Sequence, residues 1–381
     1  MIKDLAFCAS EILWGSLGRL CEHLLSSKGV STVLLLSRSA MERWGMQDFV
    51  RQLREGSLSE GSSFVLIDKI PANPRPEDLW EILKKLENTP IRRIIAFGGG
   101  SSIDLAKGIK AFHDPGRNEW TKKEAMAEKI RKREYVPSKD IHITAVPSTA
   151  GTGSELTQWA TFWDMKKGKK YSIDHADLRP DTAYIVPELT WSMSRKITLS
   201  TGLDALCQAI EAYWSVRTSP VVQELAYRAI ELIFQNLPRV LKEPDDRDFR
   251  EKMCRASILT AMAFSKTRTT ACHSISYPLT MRYGILHGMA VAMTVDAISK
   301  INRGHFPGSE ELFALFDRYG GLKSFLEKAA EGVLPLRLSQ YGVLEEELSD
   351  IAKESFTQGR MDNNPVILTE EEVYQVLYSI R

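Results

Sequence analysis

The stretch RRIIAFGGGSSIDLAKGIKAF (residues 92–112) does most to limit the folds open to this chain. A short β-rich apolar run ends in Gly98-Gly99-Gly100. It then passes through Ser101-Ser102 into a helical pattern with Asp104 and Lys107 in its first turns. Two earlier segments share the plan. VSTVLLLSRSAMERWG (30–45) holds an apolar run from Thr32 to Leu36 before its helical start. SSFVLID (62–68) precedes a helix that can begin at Pro76, with Leu79, Ile82, Leu83 and Leu86 as its apolar face. Strands that alternate with helices predict a parallel sheet with helices on its faces.

The glycine junction also has a chemical reading. Glycines let the backbone approach a pyrophosphate, and the free N–H groups of a helix start favour anionic oxygens. That makes Gly98, Gly99, Gly100, Ser101, Ser102 and Asp104 candidates for a cofactor site. The pattern is not the G-x-G-x-x-G fingerprint of a standard dinucleotide fold, and a tight turn alone would explain it. A second such loop follows in IHITAVPSTAGTGSELTQWATFWD (141–164), where a strand runs into Pro147. Residues 148–154 then offer hydroxyls and backbone donors without bulk, from Ser148, Thr149, Thr152 and Ser154. The charged segment 118–140 reads as a solvated helix or surface excursion. KKGKKYSIDH (166–175) reads as a hairpin turning at Gly168, and AYIVPELTWSMS (183–194) as a last strand ending at Pro187.

Beyond Ser194 strand signals nearly vanish. Helical periodicity covers 200–216, 220–235, 248–265, 287–301, 309–319, 322–330, 344–354 and 370–380. The simplest architecture is an α/β domain over 1–190 followed by an all-helical domain over 191–381, with the cleft between them as the default site. At 381 residues the chain is long enough for both to have full cores.

Composition narrows the function classes. Apolar content of 43% and charged content of 26% are ordinary for a soluble globular protein, and a net charge of +1 gives no reason to expect a nucleic acid or an acidic membrane as partner. No apolar run is long enough to span a bilayer, and the start MIKDLAFCASEIL lacks the features of a signal peptide. The five cysteines (Cys8, Cys21, Cys207, Cys254, Cys272) form no C-x-x-C spacing and read as reduced thiols of a cytoplasmic protein.

In TGLDALCQAIEAYWS (201–215) an amphipathic helical pattern carries Asp204 and Gln208. TTACHSISYPLTMRYGILHGMAVAMTV (269–295) carries His273, Tyr277 and, after a glycine-containing break, His287. Residues four apart share a helix face, which pairs Asp204 with Gln208 and His273 with Tyr277. If the two segments face each other, one carboxylate, one amide and two imidazoles can converge on a divalent metal, with donors that suit Fe, Zn, Mn or Co alike. The alternative for each is a helix cap or a packed core histidine.

Four motifs in one order and spacing now identify a resemblance: GGGSSIDLAK, PSTAGTGSE, TGLDALCQAIEAYWS and the block holding His273 and His287. Across essentially the whole chain, this resembles the iron-containing (group III) alcohol dehydrogenases. The resemblance implies a Rossmann-like N-terminal domain, a helical C-terminal domain (the dehydroquinate synthase-like fold) and NAD(P)-dependent carbonyl/alcohol interconversion at a metal. It implies Asp204, Gln208, His273 and His287 as metal ligands. Gln208 departs from the family's usual histidine, and Tyr277 stands where a second histidine is common. Homodimers or larger assemblies are implied as well.

TGLDALCQAIEAYWSVRTSP, KKYSIDH and TRTTACHSISYPLT together resemble the phosphonoacetaldehyde reductase subgroup, which implies reduction of phosphonoacetaldehyde to 2-hydroxyethylphosphonate in phosphonate biosynthesis. On that reading a metal, Fe2+ or Zn2+, polarises the aldehyde, the nicotinamide delivers hydride and Tyr277 is a proton relay. Arg268, Thr270, Lys169 and Lys170 are candidates for the phosphonate. After the first strand, where the family often has an acidic residue for the ribose hydroxyl, this chain has Ser37-Arg38-Ser39. Arg38 and Ser37 would accept a 2′-phosphate, so NADPH is expected over NADH. Competing readings are the same enzyme type on another small aldehyde or ketone, a metal-free binding protein, and a lyase of the dehydroquinate synthase type.

Overall fold

A computed structural model describes residues 9–59, 61–114, 122–164 and 167–381. Cys8, residues 118–121 of the charged segment and Lys166 of the expected hairpin lie outside these described residues. The chain divides into two compact units, Met1–Thr149 with Ser154–Thr190, and Ala150–Gly153 with Trp191–Arg381.

In the first unit the strands are β1 (Glu11–Trp14), β2 (Thr32–Leu35), β3 (Phe64–Ile67), β4 (Arg93–Gly98), β5 (His142–Pro147), β6 (Trp159–Asp164), β7 (Lys169–Asp174) and β8 (Thr182–Ile185). The helices are α1 (Leu17–Leu25), α2 (Arg38–Arg43), α3 (Gln47–Leu58), α4 (Pro76–Lys85), α5 (Gly100–Phe112) and α6 (Ala125–Lys132). Six strands form one sheet in the order β1-β8-β5-β4-β2-β3, every pair parallel. β6 and β7 pair separately as an antiparallel hairpin. The edge strand β1 went unread in the sequence, because its four residues, partly exposed or exposed throughout, carry no buried-strand pattern.

Alternation sorts each strand's side chains onto two cores. Val33, Leu35, Ile94, Ala96, Ile143 and Ala145 pack with Leu79 and Leu83 of α4 and Ile103 and Ile109 of α5. Leu34, Leu36, Ile95, Phe97 and Val146 pack with Leu20 and Leu24 of α1 and Phe49 and Leu53 of α3. Strand order reverses between β2 and β4: β3 lies outside β2, and β4 returns to its other side. Their carboxyl ends therefore meet at a topological switch point, the usual ligand-binding edge of such a sheet. The register pairs Gly98 with Pro147, and Ser148 N–H donates to Gly98 O at 2.9 Å, which brings the glycine turn and the Ser/Thr loop side by side.

The second unit is helical: α7 (Arg195–Trp214), α8 (Pro220–Lys242), α9 (Arg247–Thr267), α10 (Ala271–Tyr283), α11 (His287–Asn302), α12 (Ser309–Arg318), α13 (Leu322–Ala330), α14 (Leu348–Glu354) and α15 (Glu370–Ser379). The expectation of an amphipathic helix at Asp204 is corrected here. From Leu203 to Trp214 every residue of α7 is buried, because α8, α9 and α11 pack around it together. Residues 150–153, read with the sheet, belong to this unit. A Cβ on Gly151 would fall 2.4 Å from Thr201 O, and Gly153 lies against Phe264 and Ala261.

Candidate metal and nucleotide sites

The metal-competent site begins with a close helix contact. A Cβ on Gly288 would lie 1.8 Å from Ser200 O and 3.0 Å from Asp204 Cβ, so only glycine lets the start of α11 press onto α7. His287, the first residue of α11, is thereby brought to Asp204. α10 ends in Gly284 at φ 65°, the left-handed stop that reverses the chain between the two histidines. One potential ligand atom from each of Asp204, His273 and His287 lies within 4.8 Å of the others. His273 Nε2 is 3.3 Å from Asp204 Oδ1, and the His273 and His287 rings are 5.3 Å apart at 71°.

Gln208, one turn beyond Asp204, is 5% exposed, and among the described residues its Oε1 has no hydrogen-bond partner. A buried oxygen left without a partner costs roughly 1–3 kcal/mol. A carboxylate, two imidazoles and an orphaned amide oxygen are the donor mix of a first-row divalent ion, and a bound ion would satisfy that oxygen. The residues present fit a metal.

Behind the site stands a residue the sequence reading missed. Glu211 Oε2 pairs with His273 Nδ1, while its Oε1 accepts from His273 N–H at 3.2 Å and from Thr270 Oγ1 at 2.8 Å. Glu211 lies seven residues after Asp204 on the same face of α7, a spacing that was readable as another member of the stripe. The bond it takes from Nδ1 leaves Nε2 facing Asp204, the arrangement in which a carboxylate orients a metal-binding histidine. Burial opposes a charge on His273, but Glu211 and Asp204 outweigh it and hold the ring's pKa up to about 10.

Thr270, expected to touch the substrate, lies behind the metal-competent cluster in contact with Glu211. It is 0% exposed, and its hydroxyl donates to Glu211 and accepts from Trp214 Nε1 at 2.9 Å. Tyr277 is buried, its ring parallel to that of His287 at 6.0 Å. Cys207 and Cys272 are fully buried, and burial pushes both thiols well above their ordinary range. Lys169 and Lys170 lie on β7 of the first unit, Lys169 exposed and Lys170 Nζ 5.6 Å from the centre of the Trp163 ring.

In the first unit the glycine junction leads from β4 into α5. Gly98 has φ 145°, Gly99 is the N-cap of α5 and makes no side-chain cap, and the hydroxyls of Ser102 and Thr149 are buried without hydrogen-bond partners among the described residues. Asp104 and Ser154 are committed elsewhere. Ser154 Oγ donates to Asp104 Oδ1 at 2.7 Å, and Thr161 N–H to Oδ2 at 2.9 Å. Fully buried Lys107 donates to Ser154 Oγ, Thr157 Oγ1 and Trp159 O at 2.9, 3.1 and 2.8 Å. Burial lowers its pKa to about 8 and raises that of neighbouring Glu155 to about 7. These bonds brace the loop. At the end of β2, a groove of about 800 Å³ is lined by Ser37, Arg38, Ser39, Asp68, Lys69 and Lys85 among others. Arg38 is 3.2 Å from Asp68 Oδ2 with its side chain 73% exposed, and Ser37 Oγ caps α2 by accepting from Ala40 N–H.

Among the described residues no helix is long and apolar enough to cross a membrane. Residues 12–187 match the model of the iron-containing alcohol dehydrogenase family, and residues 198–380 match its C-terminal model. The phosphonoacetaldehyde reductase of Streptomyces viridochromogenes is 31% identical over 316 residues, 79% of each chain. The NADPH-dependent butanol dehydrogenase of Clostridium saccharobutylicum is 30% identical over 93% of this chain and 92% of its own. Among solved structures, sulfoacetaldehyde reductase from Bifidobacterium kashiwanohense in complex with NAD+ superposes with a TM-score of 0.82 at 26% identity, covering 100% of this chain and 99% of its own. The chain belongs to the iron-containing alcohol dehydrogenase family and is an NAD(P)-dependent alcohol dehydrogenase or aldehyde reductase that uses a divalent metal.

Proposed function

We propose that this enzyme reduces phosphonoacetaldehyde to 2-hydroxyethylphosphonate with NADPH, in the setting of phosphonate biosynthesis. The observation that carries this reading is the metal-competent cluster of Asp204, His273 and His287 with Arg268 just ahead of it in the chain. The Streptomyces relative acts on the same aldehyde by name. When bound, the metal supplies Lewis-acid polarisation of a carbonyl oxygen and the dinucleotide supplies a hydride.

The chain's own residues do the rest. Glu211 holds the His273 ring with Nε2 toward the site, and Asp204 contributes the single carboxylate among the proposed ligands. Gln208 Oε1 is the fourth donor, neutral where a histidine is usual. Asp204 beside the ion and Glu211 behind His273 together balance the charge of a divalent ion, so selection of an anionic substrate falls to groups outside this cluster. Tyr277, parallel to His287, is the proton relay. Residues 98–102 with Thr149 hold the pyrophosphate, and Arg38 with Ser37 receives the 2′-phosphate. Asp104 and Ser154 serve indirectly, by fixing the Ser/Thr loop.

A second reading keeps the chemistry but replaces the phosphonate with a sulfonate, supported by the likeness to the Bifidobacterium sulfoacetaldehyde reductase. The test is a panel of aldehydes (phosphonoacetaldehyde, sulfoacetaldehyde, lactaldehyde and simple alkanals) assayed by NADPH consumption, with and without added Fe2+ or Zn2+. Phosphonoacetaldehyde should have the highest kcat/KM and require metal. A simple alkanal as the best substrate, or full activity after metal removal, would defeat the proposal. A cytoplasmic, homo-oligomeric enzyme is the accompanying expectation, checked by fractionation and light scattering.

A further inference from the structure

The ligands of the metal-competent cluster stand on three helices. Asp204 and Gln208 lie on α7, His273 on α10 and His287 on α11. Their convergence depends on how those helices are held, and one short turn late in the chain is bonded at or beside an end of each. It is Met361–Asn363 with the next residue, Asn364, in the stretch RMDNNPVILTEEEV (360–373).

Asn363 joins the end of α7 to the start of α10. Its buried amide donates through Nδ2 to Thr267 O at 2.7 Å and Thr269 O at 3.0 Å, on the linker that leads into α10. Its Oδ1 accepts at 2.9 Å from Oγ of Ser215, the residue that closes α7, and its backbone O accepts from Val216 N–H at 3.2 Å. The bonds at Ser215 and Thr269 lie about one helical turn from Glu211 and His273. Ser215 N–H donates to Glu211 O at 3.0 Å, and Thr270 donates to the Glu211 carboxylate that holds His273. A second tie reaches α10 beside the ligand: Ser274 Oγ donates to Ser355 O and accepts from Thr357 N–H at 3.0 Å.

Asn364 takes the third helix. Pro365 follows it and favours its extended backbone (φ −75°, ψ 142°), and its amide meets α11 while that of Asn363 meets α7 and the α10 linker. Asn364 and Asn302, the last residue of α11, are buried and exchange a reciprocal pair of bonds. Asn302 Nδ2 donates to Asn364 Oδ1 at 3.0 Å, and Asn364 Nδ2 donates to Asn302 Oδ1 at 2.8 Å and to Val366 O at 2.8 Å. Each amide of the turn thus commits two donors and an acceptor, which no carboxylate or apolar side chain of that size could do. His287 opens α11 and Asn302 closes it, about 22 Å apart along the axis. A tilt of about 1° pivoted at Asn302 moves His287 by about 0.4 Å, beyond the tolerance of about 0.2 Å in a metal–ligand distance.

We infer that Asn363 and Asn364 are positioning residues of the metal centre, a clip of two amides that sets α7, α10 and α11 at the spacing a metal requires. The inference rests on the ligand reading of Asp204, Gln208, His273 and His287. It is independent of which aldehyde is reduced.

The test uses the whole chain loaded with Co2+, whose visible bands report coordination geometry, and measures affinity by chelator competition. Asn363→Ala and Asn364→Ala should each weaken Co2+ binding about tenfold and shift the visible bands. Ser215→Ala, which removes one bond of the clip, should weaken binding about threefold. The control is Asn236→Ala: Asn236 is a buried amide of α8 bonded within its own helix, to Leu232 O at 2.7 Å. Its loss should lower the thermal midpoint and leave affinity and bands unchanged. Wild-type affinity and bands in Asn363→Ala overturn its role toward α7 and α10, and in Asn364→Ala its role toward α11. An equal loss of affinity in Asn236→Ala overturns both, since general loosening would then explain the effect. Where neither asparagine variant folds, Ser215→Ala decides: a threefold loss supports the clip and unchanged affinity overturns it. A wild-type protein that binds no Co2+, or one that binds it as tightly after His273→Ala, overturns the ligand reading itself and the clip with it.

Discussion

Glu211, fully buried on α7, accepts from both the backbone N–H and Nδ1 of His273 on α10. One carboxylate thereby sets the ring's position and directs Nε2 toward Asp204. A residue in this position typically contributes 10–100-fold in metal affinity when lost. Glu211→Gln should weaken metal binding by about that factor in a chelator competition titration, with the fold retained by circular dichroism. Wild-type affinity in the variant would mean that Glu211 is only a packing partner. Gln208→His gives the contrasting result: affinity held or increased, since an imidazole is a stronger donor than an amide oxygen.

The contact of Gly288 with Ser200 O predicts a severe effect from one methyl group. With 1.8 Å available, Gly288→Ala must push α11 off α7, which costs about 1–3 kcal/mol or more by the usual measure of overpacking. His287 would move with its helix. A lower denaturation midpoint together with loss of bound metal is expected; a variant with normal metal content would refute the account.

Glu155 predicts a pH dependence. An unfolded glutamate titrates near 4.5, while burial raises this one to about 7 in the folded protein. Between those values the folded state binds more protons, so stability falls as pH rises through that window. For a group 2% exposed the change is on the order of 3 kcal/mol. Glu155→Gln should flatten this part of the profile in urea midpoints measured from pH 4.5 to 8. A variant profile parallel to wild type would assign the slope to other groups.

Arg38 bears on nucleotide choice. Its exposed guanidinium lines the groove at the end of β2 and pairs with Asp68. Arg38→Ala should raise KM for NADPH about tenfold and leave that for NADH within about twofold. Wild-type kcat/KM with NADH equal to or above that with NADPH would count against the preference outright.

Periodicity and turn chemistry in the sequence determined the parallel sheet, the helical second half and the glycine junction at the end of β4. They are local properties, set by side-chain alternation and backbone freedom within a few residues. The four-residue steps from Asp204 to Gln208 and from His273 to Tyr277 were likewise legible, because such steps on a helix are local. Tertiary structure decided what those side chains meet. Glu211 became the partner of His273 only when α10 packed on α7, and Gly288 let His287 arrive only because α11 and α7 touch without a side chain between them. The Thr270 hydroxyl is held by Trp214 and Glu211, and Asp104 and Ser154 are bonded to each other, with Lys107 on Ser154. Contacts of that kind depend on which surfaces close packing brings together, and no short window of sequence contains both sides of them.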